Sequence, residues 1–351
     1  MNVKLQINNQ NIEIEKGSTV LDACKKLNIS IPTFCHDDRL KASGSCRMCV
    51  VEIEGMRNLA TSCSEIAKEG MVIQTHSKRV MESRKDVLEL LWADHKNECL
   101  TCEAAGDCKL QEYSYEYDID AVNKVYEEKL INHIDDSNKF YTFDPDKCIK
   151  CGKCIRVCEE LQGVSAISFV GRGADMHVSH PFDMEMELST CVSCGNCVNV
   201  CPTGALQEKS YTKFRSWEID KKIKTTCTYC GVGCQMDLNV KGNEVVKITP
   251  SKDGSNNELL CVKGKFAYNY INHKDRLKMP LIRKEGILVE SSWDEALDLV
   301  ASKMKNIKNE SGSDALAGFC SARCTNEDNY VMQKLFRGIL KTNNIDHCAR
   351  L

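Results

Sequence analysis

Two runs near the N-terminus alternate apolar and polar residues. Val3-Lys4-Leu5-Gln6-Ile7 and Ile12-Glu13-Ile14-Glu15-Lys16 flank Asn8-Asn9-Gln10-Asn11 and predict a β-hairpin. Thr19 stands where it would cap a short helix over Val20–Leu27, with Cys24 as a small buried hydrophobe on the inner face. Between Val80 and His95 the positions Val87, Leu88, Leu90 and Leu91 recur at helical spacing. From Ser291 the pattern changes. Ser292 with Glu295 caps a helix over Trp293–Lys308, whose Trp293, Ala296, Leu297, Val300, Ala301 and Met304 share one face. A short apolar strand over Ala315–Phe319 and a second helix over Thr325–Leu340 follow. Residues 110–140, rich in acids and tyrosines, read as a connecting segment with a solvated face and a candidate docking surface for a partner. Ala205–Thr226, rich in lysine, reads as a linker.

The chain of 351 residues is 42% hydrophobic and only 6% aromatic, a modest apolar supply that suits several small modules better than one large core. Metal-binding free energy then becomes folding free energy for each module. No apolar run is long enough to span a membrane. A net charge of -3 gives no reason to expect nucleic acid. Met1–Leu5 leads straight into strand-like sequence without the basic and apolar regions of a signal peptide, so the expected compartment is a reducing cytoplasm.

That compartment matters because the chain has 23 cysteines, and nineteen of them fall into five sets with the spacing of iron–sulfur ligands. The first is Cys35, Cys46, Cys49 and Cys63; the second is His95 with Cys99, Cys102 and Cys108. Two C-x2-C-x2-C-x3-C runs follow, Cys148, Cys151, Cys154, Cys158 and Cys191, Cys194, Cys197, Cys201, repeating after 43 residues and closed by Pro202. The last is Cys227, Cys230, Cys234 and Cys261. Disulfide staples suit small secreted domains, and tight C-x2-C turns favour one metal centre over bridges between distant strands. Cys24, Cys320, Cys324 and Cys348 stay outside the sets, Cys320 and Cys324 as structural residues and Cys348 as an ordinary thiol.

The hairpin, helix and cysteine loop of residues 1–79 resemble the β-grasp [2Fe–2S] domains that open the large iron–sulfur subunit of complex I and the [FeFe]-hydrogenases. Residues 80–119 resemble the one-histidine, three-cysteine [4Fe–4S] module of the same families, which implies His95 as a ligand. Residues 138–210 resemble the two-cluster ferredoxins. That likeness implies crossed ligation: Cys148, Cys151 and Cys154 with Cys201, and Cys191, Cys194 and Cys197 with Cys158. Residues 220–276, where Cys261 leads into Val262-Lys263-Gly264-Lys265, resemble the [4Fe–4S] domain of molybdenum/tungsten bis-pterin oxidoreductases. There the resemblance gives Lys263 the role of an electron relay between cluster and pterin. Residues 277–351 look like the start of their α/β molybdopterin domain, which implies pterin contacts from Arg323, Asn326 and Glu327.

Taken together, the fold expected is an α+β multi-module iron–sulfur protein similar to the catalytic subunit of cytoplasmic, anaerobic formate dehydrogenases. The cofactors implied are one [2Fe–2S] cluster, four [4Fe–4S] clusters and, in the complete enzyme, Mo or W held by bis-molybdopterin guanine dinucleotide. Complex I's large subunit keeps only one cube's ligands in the ferredoxin-like module, whereas all eight cysteines stand here. The resemblance implies oxidation of formate to CO2, with electrons passed to a flavin/iron–sulfur diaphorase subunit and NAD(P), to ferredoxin or to a hydrogenase subunit. By the same likeness the chain stops at Leu351, one residue before a selenocysteine or cysteine metal ligand, and is expected to be inert with formate as it stands. The alternative expectation is a non-catalytic multi-cluster electron-transfer protein, or one like the complex I large subunit.

Overall fold

A computed structural model describes residues 2–119, 133–209 and 213–347. The expected connecting segment is therefore described only in part, and the thiol at Cys348 lies outside the described residues. The chain divides into two units, residues 1–222 with 239–242, and residues 223–238 with 243–351.

In the first unit, β1 (Asn2–Ile7) and β2 (Gln10–Glu15) form the hairpin. Its turn is tighter than the four polar residues suggest: Asn8 and Asn9 alone make it, with φ of 47° and 66°. Asparagine tolerates that left-handed pair, and its twist suits a two-residue hairpin. Helix α1 (Val20–Lys26) is capped reciprocally by Thr19 and Asp22, and it buries Val20, Leu21, Ala23 and Cys24. With β3 (Val50–Ile53), β4 (Ala60–Thr61) and β5 (Val72–Gln74) the sheet order is β2-β1-β5-β3-β4, and β1 runs parallel to β5. Leu5, Ile7, Ile12, Ile14, Val51 and Ile73 fill the core between sheet and helix.

Helix α2 (Lys78–Ala93) is capped by Ser77, and α3 (Lys109–Glu116) follows the second cysteine set. His95 therefore lies two residues past the helix and not at its end. The acidic, tyrosine-rich stretch is not merely solvated, because Leu110, Tyr113, Ser114 and Tyr117 are buried. They pack with Phe34, Met48, Leu88 and Trp92, and against this one core lie Cys46, Cys99, Cys108 and Cys151. Three predicted ligand sets thus share a wall. Arg84 is fully buried in α2, donating to the Tyr117 hydroxyl at 3.1 Å and the Val50 carbonyl at 2.8 Å. That ties the first sheet to the second module.

The repeat region holds β6 (Tyr141–Phe143), α4 (Lys153–Arg156), β7 (Ser168–Val170), β8 (His177–Ser179), α5 (Asn196–Val200) and β9 (Leu206–Glu208). β6 pairs antiparallel with β9, and β7 with β8. The expected linker over Ala205–Thr226 is therefore corrected: its first part is a strand, and its last part is β10 (Lys221–Thr226). Three-residue strands carry too little alternation to be read in advance, and β10 is almost wholly exposed.

β10, β11 (Gln235–Lys241) and β12 (Glu244–Pro250) form a three-stranded sheet, followed by α6 (Val262–Phe266) and the hairpin β13 (Leu281–Lys284) with β14 (Ile287–Glu290). Helix α7 (Trp293–Ser311) starts where the sequence places it, with Ser292 accepting from the Glu295 N–H at 3.1 Å. β15 (Gly318–Cys320), α8 (Asn326–Gln333), a wider π-helical continuation over Lys334–Leu340 and β16 (Ile345–His347) make a parallel β-α-β unit. β15 begins later than expected because Ser313–Ala315 forms a 3-10 turn. Leu316, Phe336 and Leu340 form the small core of this unit.

Candidate metal centres

The loop from Cys35 to Cys49 is shaped by left-handed residues. Gly44 has φ of 61°, and a Cβ there would meet Thr61 Oγ1 at 3.2 Å; Arg47 follows at 59°. These turns bring Cys35, Cys46, Cys49 and Cys63 together. The Cys49 and Cys63 sulfurs are 3.3 Å apart. Thiol hydrogen bonds from Cys46 and Cys63 hold Cys35 well below the usual cysteine range. A hydrogen bond from Cys63 brings Cys49 to about 7 against its burial. The same hydrogen bonds push Cys46 and Cys63 the opposite way, so the four sulfurs share their protons as one group. Arg156 of α4 donates to the carbonyls of Cys35 and, at 2.7 Å, Lys41, pinning this loop to the repeat.

The second set surrounds a small cavity lined by His95, Cys99, Cys102 and Cys108, with Trp92, Lys147 and Gly204 among its walls. Trp92 donates to Ser114 at 2.6 Å and stands edge-on to the His95 ring at 5.1 Å. Burial, and then the charge of Lys147, lowers His95 to about 4, so the imidazole is neutral. Its Nδ1 is buried without a hydrogen-bond partner. A neutral ring with an orphaned nitrogen fits a metal ligand. Lys147 and Gly204 lie outside the sequence-derived site. A Cβ at Gly204 would come within 2.6 Å of the Cys102 sulfur, so the bare backbone after Cys201-Pro202 is what lets the repeat approach this cavity.

In the repeat, Lys150 and Ser193 have φ of 53°, and Gly152 and Gly195 have 69° and 74°, so both runs fold alike. The turns aim backbone N–H groups at sulfur: Lys150 to Cys148 at 3.4 Å, Ser193 to Cys191 at 3.3 Å, and Ala166 to Cys158 at 3.3 Å. Cys158, Cys191, Cys194 and Cys197 line one small cavity. Beyond burial, Cys201 lies near enough to raise Cys148, Cys151 and Cys154, and Cys197 of the second run also acts on Cys154. Cys151 also senses the charge of Cys35, which sets the first cysteine loop beside this run.

In the second unit, the Cys227 N–H donates to the Cys234 carbonyl at 2.8 Å, and Cys234 is raised by burial and by Cys227, Cys230 and Cys261. Cys230 and Cys261 are exposed. Lys263 is exposed in the first turn of α6, whereas Lys265, which the sequence did not single out, is fully buried and donates to the Ile248 carbonyl at 2.6 Å. Arg323, Asn326 and Glu327 lie in the loop after β15 and the first turn of α8, all exposed. The carboxyl ends of parallel strands are where α/β sheets bind ligands.

Among the described residues no three His, Cys, Asp or Glu are arranged to hold a single metal ion, and no helix is long and apolar enough to cross a membrane. Sulfurs that rim cavities, with a buried imidazole nitrogen left over, fit multinuclear groups.

Five family models match the chain in order. They are a 2Fe-2S iron-sulfur cluster binding domain over residues 1–78 and the NADH-ubiquinone oxidoreductase-G iron-sulfur binding region over 84–123. A 4Fe-4S dicluster domain follows over 147–205, then a molybdopterin oxidoreductase Fe4S4 domain over 220–273 and molybdopterin oxidoreductase over 276–351. An NADH-quinone oxidoreductase subunit of Rhizobium meliloti (strain 1021) is 38% identical over 99% of this chain and 40% of its own length. The Bacillus subtilis (strain 168) protein YrhE, provisionally named a formate dehydrogenase, is 35% identical, again over 99% and 40%. The alpha subunit of an NADPH-Fe(3+) oxidoreductase of Geobacter sulfurreducens is 36% identical with the same coverage. The chain thus spans about 40% of the length of these relatives. A crystal structure of NAD+-reducing [NiFe]-hydrogenase in the H2-reduced state superposes with a TM-score of 0.55 and 29% identity, covering 60% of this chain and 89% of that one.

Proposed function

We propose, for a chain that is an electron-transfer iron–sulfur module of the molybdopterin oxidoreductase family, that it is the electron-transfer part of a formate dehydrogenase catalytic subunit. The complete protein would oxidise formate to CO2 and deliver electrons to a flavin subunit and NAD(P), to ferredoxin or to a hydrogenase. We take its modules as residues 1–79, 80–119, 138–210, 220–276 and 277–351.

Bound iron–sulfur clusters supply one-electron steps, and a bis-pterin Mo or W centre supplies the two-electron chemistry. The chain's own part is to hold and space them. Cys35, Cys46, Cys49 and Cys63 would hold a [2Fe–2S] group, and His95 with Cys99, Cys102 and Cys108 a [4Fe–4S] group. The crossed sets of the repeat would hold two more cubes, and Cys227, Cys230, Cys234 and Cys261 the last. Lys263 follows Cys261 by two residues and supplies a cation beside it. Arg323, Asn326 and Glu327 would bind pterin. Buried N–H groups directed at sulfur stabilise negative charge there.

The observation that supports the reading is the complete eight-cysteine repeat, with Cys158, Cys191, Cys194 and Cys197 lining one cavity, whereas the complex I resemblance implies the ligands of one cube only. The test is the full-length polypeptide, purified anaerobically and assayed for formate-dependent reduction of a viologen dye. Activity supports the reading. A metal- and pterin-replete protein that ignores formate yet is reduced through an NADH-oxidising partner would sink it. That outcome would favour a protein like the Rhizobium meliloti relative, the reading that its 38% identity supports.

A further inference from the structure

The two halves of the repeat share backbone geometry, yet their sulfurs do not receive the same side-chain hydrogen bonds. Tyr141, in β6, is 1% exposed, and its hydroxyl lies 3.1 Å from the Cys191 sulfur. Tyr141 lines the cavity formed by Cys158, Cys191, Cys194 and Cys197, and the pairing of β6 with β9 fixes the ring there. In the other grouping, the hydroxyl beside a ligand sulfur is Thr203, 3.8 Å from Cys201. Thr203 donates its one proton to the Lys147 carbonyl at 2.8 Å, so it has none to give to sulfur.

We propose that Tyr141 is a potential-setting residue for the second cube of the repeat, donating its hydroxyl proton to the Cys191 sulfur and making that cube more readily reduced than it would be without the bond. This rests on the reading of Cys158, Cys191, Cys194 and Cys197 as one ligand set. The physics is differential. Reduction adds one electron and no proton, the added charge is spread over the ligand sulfurs, and an O–H dipole aimed at them stabilises the reduced state more than the oxidised one. A phenol, with an ordinary pKa of about 10, holds its proton at neutral pH and so has one to donate. Sequence alone offers no hint of this, because Tyr141 lies 50 residues from Cys191.

The experiment uses the full chain with clusters reconstituted anaerobically and each cluster's midpoint read by EPR-monitored redox titration. Cys194→Ser first identifies the signal of the second cube. If it alters no cube's signal, the ligand assignment has failed, and the proposal with it. Given that signal, Tyr141→Phe keeps the ring and removes the proton. We expect the reduced-to-oxidised ratio of that cube to fall about three- to tenfold at fixed potential, a tenfold change being ~59 mV for one electron. The other clusters should hold their midpoints. 3-Fluorotyrosine at position 141, a stronger donor, should shift the same midpoint upward. An unchanged midpoint in the phenylalanine variant, or an equal shift of every cluster, overturns the proposal. Where that variant fails to assemble the cube, the fluorotyrosine protein decides alone, and no upward shift counts against Tyr141.

Discussion

The first and last cysteine sets are built in opposite ways. Cys35, Cys49 and Cys63 are buried, the last two in the core between the five-stranded sheet and α1, while in the last set only Cys227 is buried and Cys230 and Cys261 are exposed. Their surroundings differ likewise. Helix α2 buries Val80, Arg84, Leu88 and Trp92, whereas α7, with an equally clear apolar stripe, buries none of its residues and leaves Trp293 65% exposed. An amphipathic helix gains its stability from what covers its apolar face. The lesson is that iron-ligand spacing reports chemistry without reporting enclosure: the same motif grammar describes a finished pocket and an open one.

The sharpest probe of the enclosed side is His95. His95→Ala should cost the chain one cluster, about four of roughly eighteen irons. His95→Cys should keep the cube but lower its potential, because thiolate adds negative charge. Iron analysis with EPR reads both. Retention of all clusters with unchanged potential in the alanine variant would remove His95 from the ligands.

Next in size is core truncation on each side. Leu110→Ala, in the core shared by three cysteine sets, should destabilise the first unit by about 2–5 kcal/mol. Leu297→Ala on the exposed α7 face should stay within about 0.5 kcal/mol. Denaturant unfolding of the full chain, followed by a probe in each unit, compares them. Equal costs would mean α7 is covered in solution, and the contrast would dissolve.

Hydrogen exchange should show the same order, with α7 amides less protected than those of α2. Comparable protection in the two helices would again count against it.

The smallest expected effect is on pH dependence. His180 is buried, and burial lowers its pKa despite Asp135 at 3.8 Å. A histidine held neutral by folding binds fewer protons than the unfolded chain. Stability is therefore full above the unfolded value near 6.5 and declines as pH falls below it. His180→Gln should flatten that decline in the first unit. An unaltered slope would assign the acid sensitivity elsewhere.

Much of this was legible in sequence because it is local. The hairpin alternation, the Thr19 and Ser292 caps and the cysteine spacings all concern residues within a few positions of one another. What escaped is set by distant partners. Lys263 and Lys265 are chemically identical in a string, and only packing against Ile248 and Phe266 makes Lys265 the buried one. β9 hid inside a lysine-rich stretch because its identity as a strand comes from pairing with β6, more than sixty residues away. Gly204 matters only because the Cys102 sulfur lies where its side chain would be.

The interlacing of the repeat has a consequence for synthesis. With the crossed ligation proposed above, neither sulfur cage would be closed by one half of the repeat, since Cys158 lines its cavity with Cys191, Cys194 and Cys197. A ribosome that had made only the first run would then have made no complete site there. Iron loading of the two cubes would be a joint event that starts only when the second run has emerged, and a frameshift between the runs would forfeit both at once.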